Sequence, residues 1–149
     1  MNKLYDHDGY GWAMEQAALL RAGKLSALDI DNLAEEIDSM GKTIKNELVS
    51  RLVVLLHHLL KWEFQPTLRS NSWRASILEQ RDRIADLVAD NPSLKPKIPD
   101  AMHSAYRVAR IRAVGEAALP EKTFPAECPY DFKTATDENF WPGNTQASS

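Results

Sequence analysis

Ile44, Leu48, Leu52, Leu55, Leu59 and Trp62 fall on one stripe of a helical wheel, and Val49, Val53, Leu56 and Leu60 on the next. About half the circumference of the segment from Lys42 to Trp62 is therefore apolar. A helix of that kind survives in water only when it is packed against more than one neighbour, so it must be central. Pro66 ends it, because proline lacks the backbone donor and clashes with the preceding turn.

The remaining helical spacing surrounds this segment. Tyr10, Ala13, Met14 and Ala17 follow the i, i+3, i+4, i+7 rule, with Asp8 as N-cap and Gly23 as stop, which predicts a helix over about 9–22 with those residues as its inward face. Asp29 caps a second helix whose Ile30, Leu33, Ala34, Ile37 and Met40 occupy one narrow arc, and Gly41 is expected to interrupt it before the third, central helix begins. Ser72 is placed to cap a fourth, with Trp73, Ile77, Ile84, Leu87 and Val88 on one face and an end near Asp90-Asn91-Pro92. A fifth starts close to Pro96, and Met102, Ala105, Ala109 and Ala113 give it a stripe of small residues that lets another helix come close.

From Pro120 the periodicity gives way to prolines and scattered aromatics, Phe124, Tyr130, Phe132, Phe140 and Trp141. They predict a wrap over the bundle with a short turn of helix around Asp131 to Thr136, then a polar end from about 142. No stretch alternates apolar and polar residues between turn dipeptides. The expected fold class is all-α: an antiparallel bundle of about five helices in a single domain over 1–149.

Composition narrows the class of molecule. The longest apolar run, Leu52 to Leu56, stops at His57 and His58, far short of the roughly 20 residues of a bilayer span, so no membrane role is expected. The start, Met1 to Asp8, is polar and acidic where a secretory leader carries a basic start and an apolar stretch, so the expected location is cytoplasmic. The one cysteine, Cys128, has no second thiol to close an intrachain disulfide with, and its role stays open. Residues 1–60 carry 6 basic and 9 acidic side chains, residues 61–112 carry 10 and 6, and residues 113–149 carry 2 and 6, so the middle of the chain is mildly basic.

Several short runs together resemble one family. They are Tyr5-Asp6-His7-Asp8 followed by Tyr10 and Trp12; the run Asn32 to Gly41; Leu56-His57-His58-Leu59-Leu60-Lys61-Trp62; Ser72-Trp73-Arg74 with Ile77, Gln80 and Arg81; and Phe124-Pro125-Ala126-Glu127-Cys128-Pro129-Tyr130. In order and spacing they resemble a bacterial family known as domain of unknown function 29, over nearly the whole chain. The resemblance implies an all-helical fold and carries no activity with it.

The same motifs hold the candidate polar cluster: Glu35, Glu36, His57, His58, Trp73 and Arg74. Carboxylate and imidazole on facing helices are what a helical-bundle metal site uses, and Glu36 with His57 or His58, joined by His103 or His7, is the set to consider. Spacing weighs against it. Neither glutamate has a histidine three residues on, and adjacent residues on a helix diverge by about 100°, so neither pair converges on one point. The competing reading is a histidine at the edge of the apolar face, bonded to a neighbouring helix's carboxylate.

Arg69, Trp73, Arg74, Arg81, Arg83, Arg107, Arg110 and Arg112 form a basic and aromatic group over 69–112 that suits phosphate contact and base stacking, although Glu79, Asp82 and Asp86 are available to neutralise it. Cys128 beside Glu127 lacks the surroundings that favour a thiolate nucleophile. With no complete catalytic constellation and no cofactor motif, the leading expectation is a protein-interaction or regulatory module, docking a protein partner or a second copy. A metal-dependent hydrolase or other metalloenzyme and a nucleic-acid binder are the alternatives, and whether the chain is an enzyme stays open.

Overall fold

A computed structural model describes residues 3–143; the polar end beyond Gly143 lies outside the described residues. Six α-helices follow one another among them: α1 Lys3–His7, α2 Gly9–Arg21, α3 Ile30–Phe64, α4 Asn71–Asp90, α5 Ile98–Glu116 and α6 Phe132–Thr136. Short 3-10 turns sit in the connections, and no strand occurs among the described residues. The fold class is all-α. The residues cluster into two compact units, Met1–Ile44 and Lys45–Ser149, and α3 has residues in each.

The second and third expected helices are one. Gly41 does not interrupt α3, which runs unbroken from Ile30 to Phe64. A lone glycine in a helix costs about 1 kcal/mol relative to alanine, and strong helix formers on either side absorb that, with no proline nearby to make the break final. Gly23 does stop α2 as expected. Its φ of 71° turns the chain into the left-handed region, where its amide bonds to the Leu20 carbonyl at 3.1 Å and the Lys24 amide to the Leu19 carbonyl at 3.0 Å.

In the unit Met1–Ile44, Asp8 caps α2 by accepting from the Gly11 amide at 2.9 Å. The inward face of α2 is not the expected one. Trp12 and Gln16 are buried, whereas Tyr10 is 76% exposed and Met14 is also exposed. The apolar arc of the following helix is turned to solvent as well: Ile30, Ile37 and Met40 are 64%, 65% and 62% exposed. Helical periodicity located both arcs correctly and mistook what lies over them.

The unit Lys45–Ser149 is where the core sits. Leu48, Leu52, Leu55, Leu56, Leu59 and Leu60 of α3 are fully buried, as the wheel requires. Ile77 and Ile84 of α4 close over the core, and so do Ala101, Ala105, Ala109 and Ala113 of α5, all at most 1% exposed. The α5 alanines recur every fourth residue, which keeps one shallow face along four turns and brings backbones close. The cap of α4 is Ser70 and not Ser72: its extended backbone lets Oγ accept from the Trp73 amide at 3.1 Å, so the helix starts at Asn71. The aromatic stretch after Pro120 packs back on this core through buried Phe124 and Tyr130 and the short helix α6, capped by Asp131.

Candidate functional site

Four places hold side chains that chemistry or binding could use. The first is the polar lock of the N-terminal unit. The Trp12 indole Nε1 donates to Asp29 Oδ2 at 2.9 Å, Asn32 Nδ2 donates to the same oxygen at 2.8 Å, and the Asp29 amide donates to Gln16 Oε1 at 2.8 Å. Tyr5 packs edge-on against Trp12, ring centres 4.8 Å apart, and its hydroxyl donates to Glu36 Oε1 at 2.6 Å. That bond, with Glu36 and Glu35 nearby, raises the Tyr5 phenol above its ordinary value. Glu36 is thus a fastening between α1 and α3, and both it and Glu35 are exposed. The polar lock holds the helices together through Tyr5, Trp12, Gln16, Asp29, Asn32 and Glu36, and the apolar arc of Ile30, Ile37 and Met40 stays uncovered.

The second place surrounds His57 and His58. His57 Nε2 meets Glu116 Oε2 at 2.8 Å, and Lys61 Nζ donates to the same oxygen at 3.0 Å. Lys61 also lies 4.7 Å above the Trp73 ring. His58 Nδ1 donates to the Val54 carbonyl at 2.8 Å. Burial lowers both imidazoles below their usual value; for His57 the Glu116 carboxylate opposes the shift, and Lys61 adds to it. For Glu116, burial pushes the carboxyl up, and the Lys61 hydrogen bond and His57 outweigh it, so the net shift is downward. A buried imidazole, a lysine and a carboxylate thus form one neutralised cluster across α3 and α5.

These positions bear directly on the metal set. Glu36 and His57 were expected on facing helices; they stand on the same helix, about six turns apart. Among the described residues no group of three or more His, Cys, Asp or Glu side chains is placed to hold a metal ion. His7 and His103 are both exposed, His7 at the end of α1 and His103 on α5.

The third place is an arginine and tryptophan stack under the C-terminal wrap. Arg81 is 3% exposed; its Nε donates to the Ala135 carbonyl at 2.8 Å and Nη2 to the Phe140 carbonyl at 2.7 Å. Its Nη1 and the Trp62 indole N–H are buried with no hydrogen-bond partner. Trp141 packs on Trp62, ring centres 4.8 Å apart, and Arg74 and Arg81 lie 4.8 and 5.3 Å from the Trp141 ring. Arg69 donates to the carbonyls of Trp62 and Pro142. Tyr130 donates to Glu63 Oε1 at 2.7 Å, and burial, helped by Glu63, drives its phenol well above the ordinary value.

Glu79, Asp82 and Asp86 were available to neutralise the basic group, but Arg74 and Arg81 meet a tryptophan face and, for Arg81, backbone carbonyls, because the wrap arrives with unpaired carbonyls at its helix end and turn. Arg110 is held by Glu121 and by the carbonyls of Glu121, Phe124 and Pro125, and Arg83 pairs with Glu79. Much of the basic group over 69–112 thus fastens the chain to itself.

The fourth place was not foreseen. A groove of about 730 Å³ runs along α5 past Ile98, Met102 and Tyr106, with the segment from Ala126 to Phe132 as its other wall. Tyr106 and Arg110 brace that wall through the Pro125 carbonyl, and burial pushes the Tyr106 phenol up to about 12. Cys128 lines the groove, its thiol donating to the Tyr130 carbonyl at 3.1 Å, and burial holds it protonated by raising its pKa. The groove can seat an apolar group and offers no activated nucleophile. Its walls come from residues remote in sequence, so no local motif could announce it. The Tyr5–Glu36 bond, by contrast, joins two of the quoted motifs.

Comparison with known proteins adds the family. No curated protein and no solved structure matches the chain. The family model described as Domain of unknown function DUF29 matches residues 4–141, which takes in the polar lock, the histidine cluster, the arginine stack and the groove alike. The chain belongs to that family.

Proposed function

We propose that this chain is a protein-interaction module whose docking face is the apolar arc of α3 in its N-terminal unit. One observation carries the reading. Ile30, Ile37 and Met40 keep the a/d spacing of a helix seam, yet each is more than 60% exposed. Farther along the same helix, Leu48, Leu52, Leu55 and Leu59 continue a spacing of that kind and are fully buried. An apolar seam half covered within its own chain is half a helix–helix interface, and contiguous exposed apolar surface of this kind marks association sites in proteins that are monomers when free. Tyr10 and Met14 on α2 add further apolar surface to that unit.

The reading supposes work in the bacterial cytoplasm, where the Cys128 thiol stays reduced. Neither a metal site nor a nucleic-acid surface gains a supporting observation: His57, His58 and most arginines are occupied within the fold.

Photo-crosslinking in cells from a reactive side chain placed at Ile37 tests the reading. A discrete adduct from position 37, and none from exposed Asp86 on α4, is the expected result. If neither position gives an adduct, the docking face is abandoned.

A further inference from the structure

We infer that the docking face of α3 is occupied by the same face of a second copy, running antiparallel about a two-fold axis at Ile37; the inference rests on the interaction reading above. The seam is arranged almost symmetrically about that residue. Pairing Ile37 with its own counterpart sets Ile30 against Ile44 of the second copy and Leu33 and Ala34 against Gly41 and Met40. Apolar residues then meet apolar residues throughout. Ala34 and Gly41, the smallest side chains on the arc, fall on either side of the axis, where they let the two backbones approach.

Charge selects the direction. The first half of the exposed stretch carries Asp31, Glu35, Glu36 and Asp38, and Lys42 and Lys45 follow them. Side by side in parallel, two copies would set every acid against its like. Antiparallel, Asp31 of each copy comes beside Lys42 and Lys45 of the other at both ends of the seam, and acid faces acid only next to the axis, where Asp38 meets Glu36. The existing Lys42–Asp38 pair does not prevent this, since both side chains are largely exposed and lysine can share its three donors.

Area is also sufficient. Ile30, Ile37 and Met40, with the partly exposed Leu33 and Ile44, offer on the order of 500 Å² per copy, or about 1,000 Å² in all. That is the size of a weak, transient interface and below that of a tight one, so the dimer is a reversible one. The two-fold arrangement is closed: each face is used once, so the contact stops at two copies.

The test uses the full chain with Cys128→Ser as background and single cysteines at exposed positions. Under mild oxidation Ile37→Cys is expected to form a disulfide-linked dimer. Ile30→Cys is expected to form none alone and to cross-link when Ile44→Cys is added. Sedimentation at about 100 µM is expected to show a dimer for the unsubstituted chain, with Asp31→Lys weakening it about tenfold and Lys42→Asp in addition restoring it.

Equal cross-linking from Ile37→Cys and Ile30→Cys alone would mean parallel pairing and overturn the inference. A monomer by sedimentation at that concentration would overturn it too. If crosslinking in cells from position 37 then captures a different protein, the second copy is refuted while the docking face stands; if it captures nothing, both fall.

Discussion

Arg81→Ala is the substitution whose cost can be worked most fully from the structure. The guanidinium makes two short bonds to the carbonyls of Ala135 and Phe140, and hydrogen bonds from a charged donor are worth about 1.5–3 kcal/mol each, so about 3–6 kcal/mol is lost in gross terms. Against that, the variant no longer buries a cation with one unpartnered N–H, a cost of about 1–3 kcal/mol in the native protein. A net destabilisation of about 3 kcal/mol follows, roughly a 10 °C fall in Tm for a chain of this size. The loss should be local first. Urea unfolding followed by tryptophan fluorescence gives the magnitude, since Trp62 and Trp141 stack beside the site, and amide exchange over 132–143 gives the place. Arg81→Lys should recover less than half, because one ammonium on a flexible stem cannot match the planar fork that serves both carbonyls. If Arg81→Ala unfolds within about 0.5 kcal/mol of the parent, the clamp is not what holds the wrap, and the reasoning fails.

Three further outcomes are expected. Trp12→Phe keeps the ring contact with Tyr5 and loses the bond to Asp29, so about 1.5–3 kcal/mol of local stability should vanish from the N-terminal unit; unchanged amide protection across 9–40 would contradict it. His57 and His58 are lowered by burial, so below the ordinary value of about 6.5 the unfolded chain binds more protons than the folded one; stability should be full above that pH and decline as pH falls toward the lowered folded values. Titration of either ring by NMR with a midpoint above 6.5 would refute this. Ala109→Ile should cost about 1–3 kcal/mol by overpacking the α5 stripe, and a neutral result in thermal unfolding would show that no helix lies close there.

Much of this molecule could be read from its residues, and what could not shares one physical cause. Periodicity reports that one side of a helix is apolar; it does not report what covers that side. For Leu48 to Leu60 the apolar stripe was so wide that only full burial could accommodate it, and the core lies there. For Tyr10 and Met14, and for Ile30, Ile37 and Met40, the arcs were narrower, and burial was one of two outcomes; the structure takes the other. Gly41 misled because a glycine marks a helix end only when the following backbone leaves the helical region, as Gly23 does and Gly41 does not. Glu36, His57 and Arg81 were visible as polar side chains needing partners. Their partners, Tyr5, Glu116 and the carbonyls of Ala135 and Phe140, were not, because polar satisfaction is settled by three-dimensional neighbours and backbone carbonyls have no letter in a sequence.

Methionine methyl NMR with a soluble paramagnetic agent distinguishes a docking face from core along the arc of α3 up to Ile44. Met40 and Met14 stand on exposed arcs and Met102 is buried. In dilute protein the Met40 and Met14 methyl resonances should broaden strongly with Met102 spared, and Met40 should become protected as concentration rises. A Met40 methyl as shielded as that of Met102 in the dilute monomer would contradict the docking face.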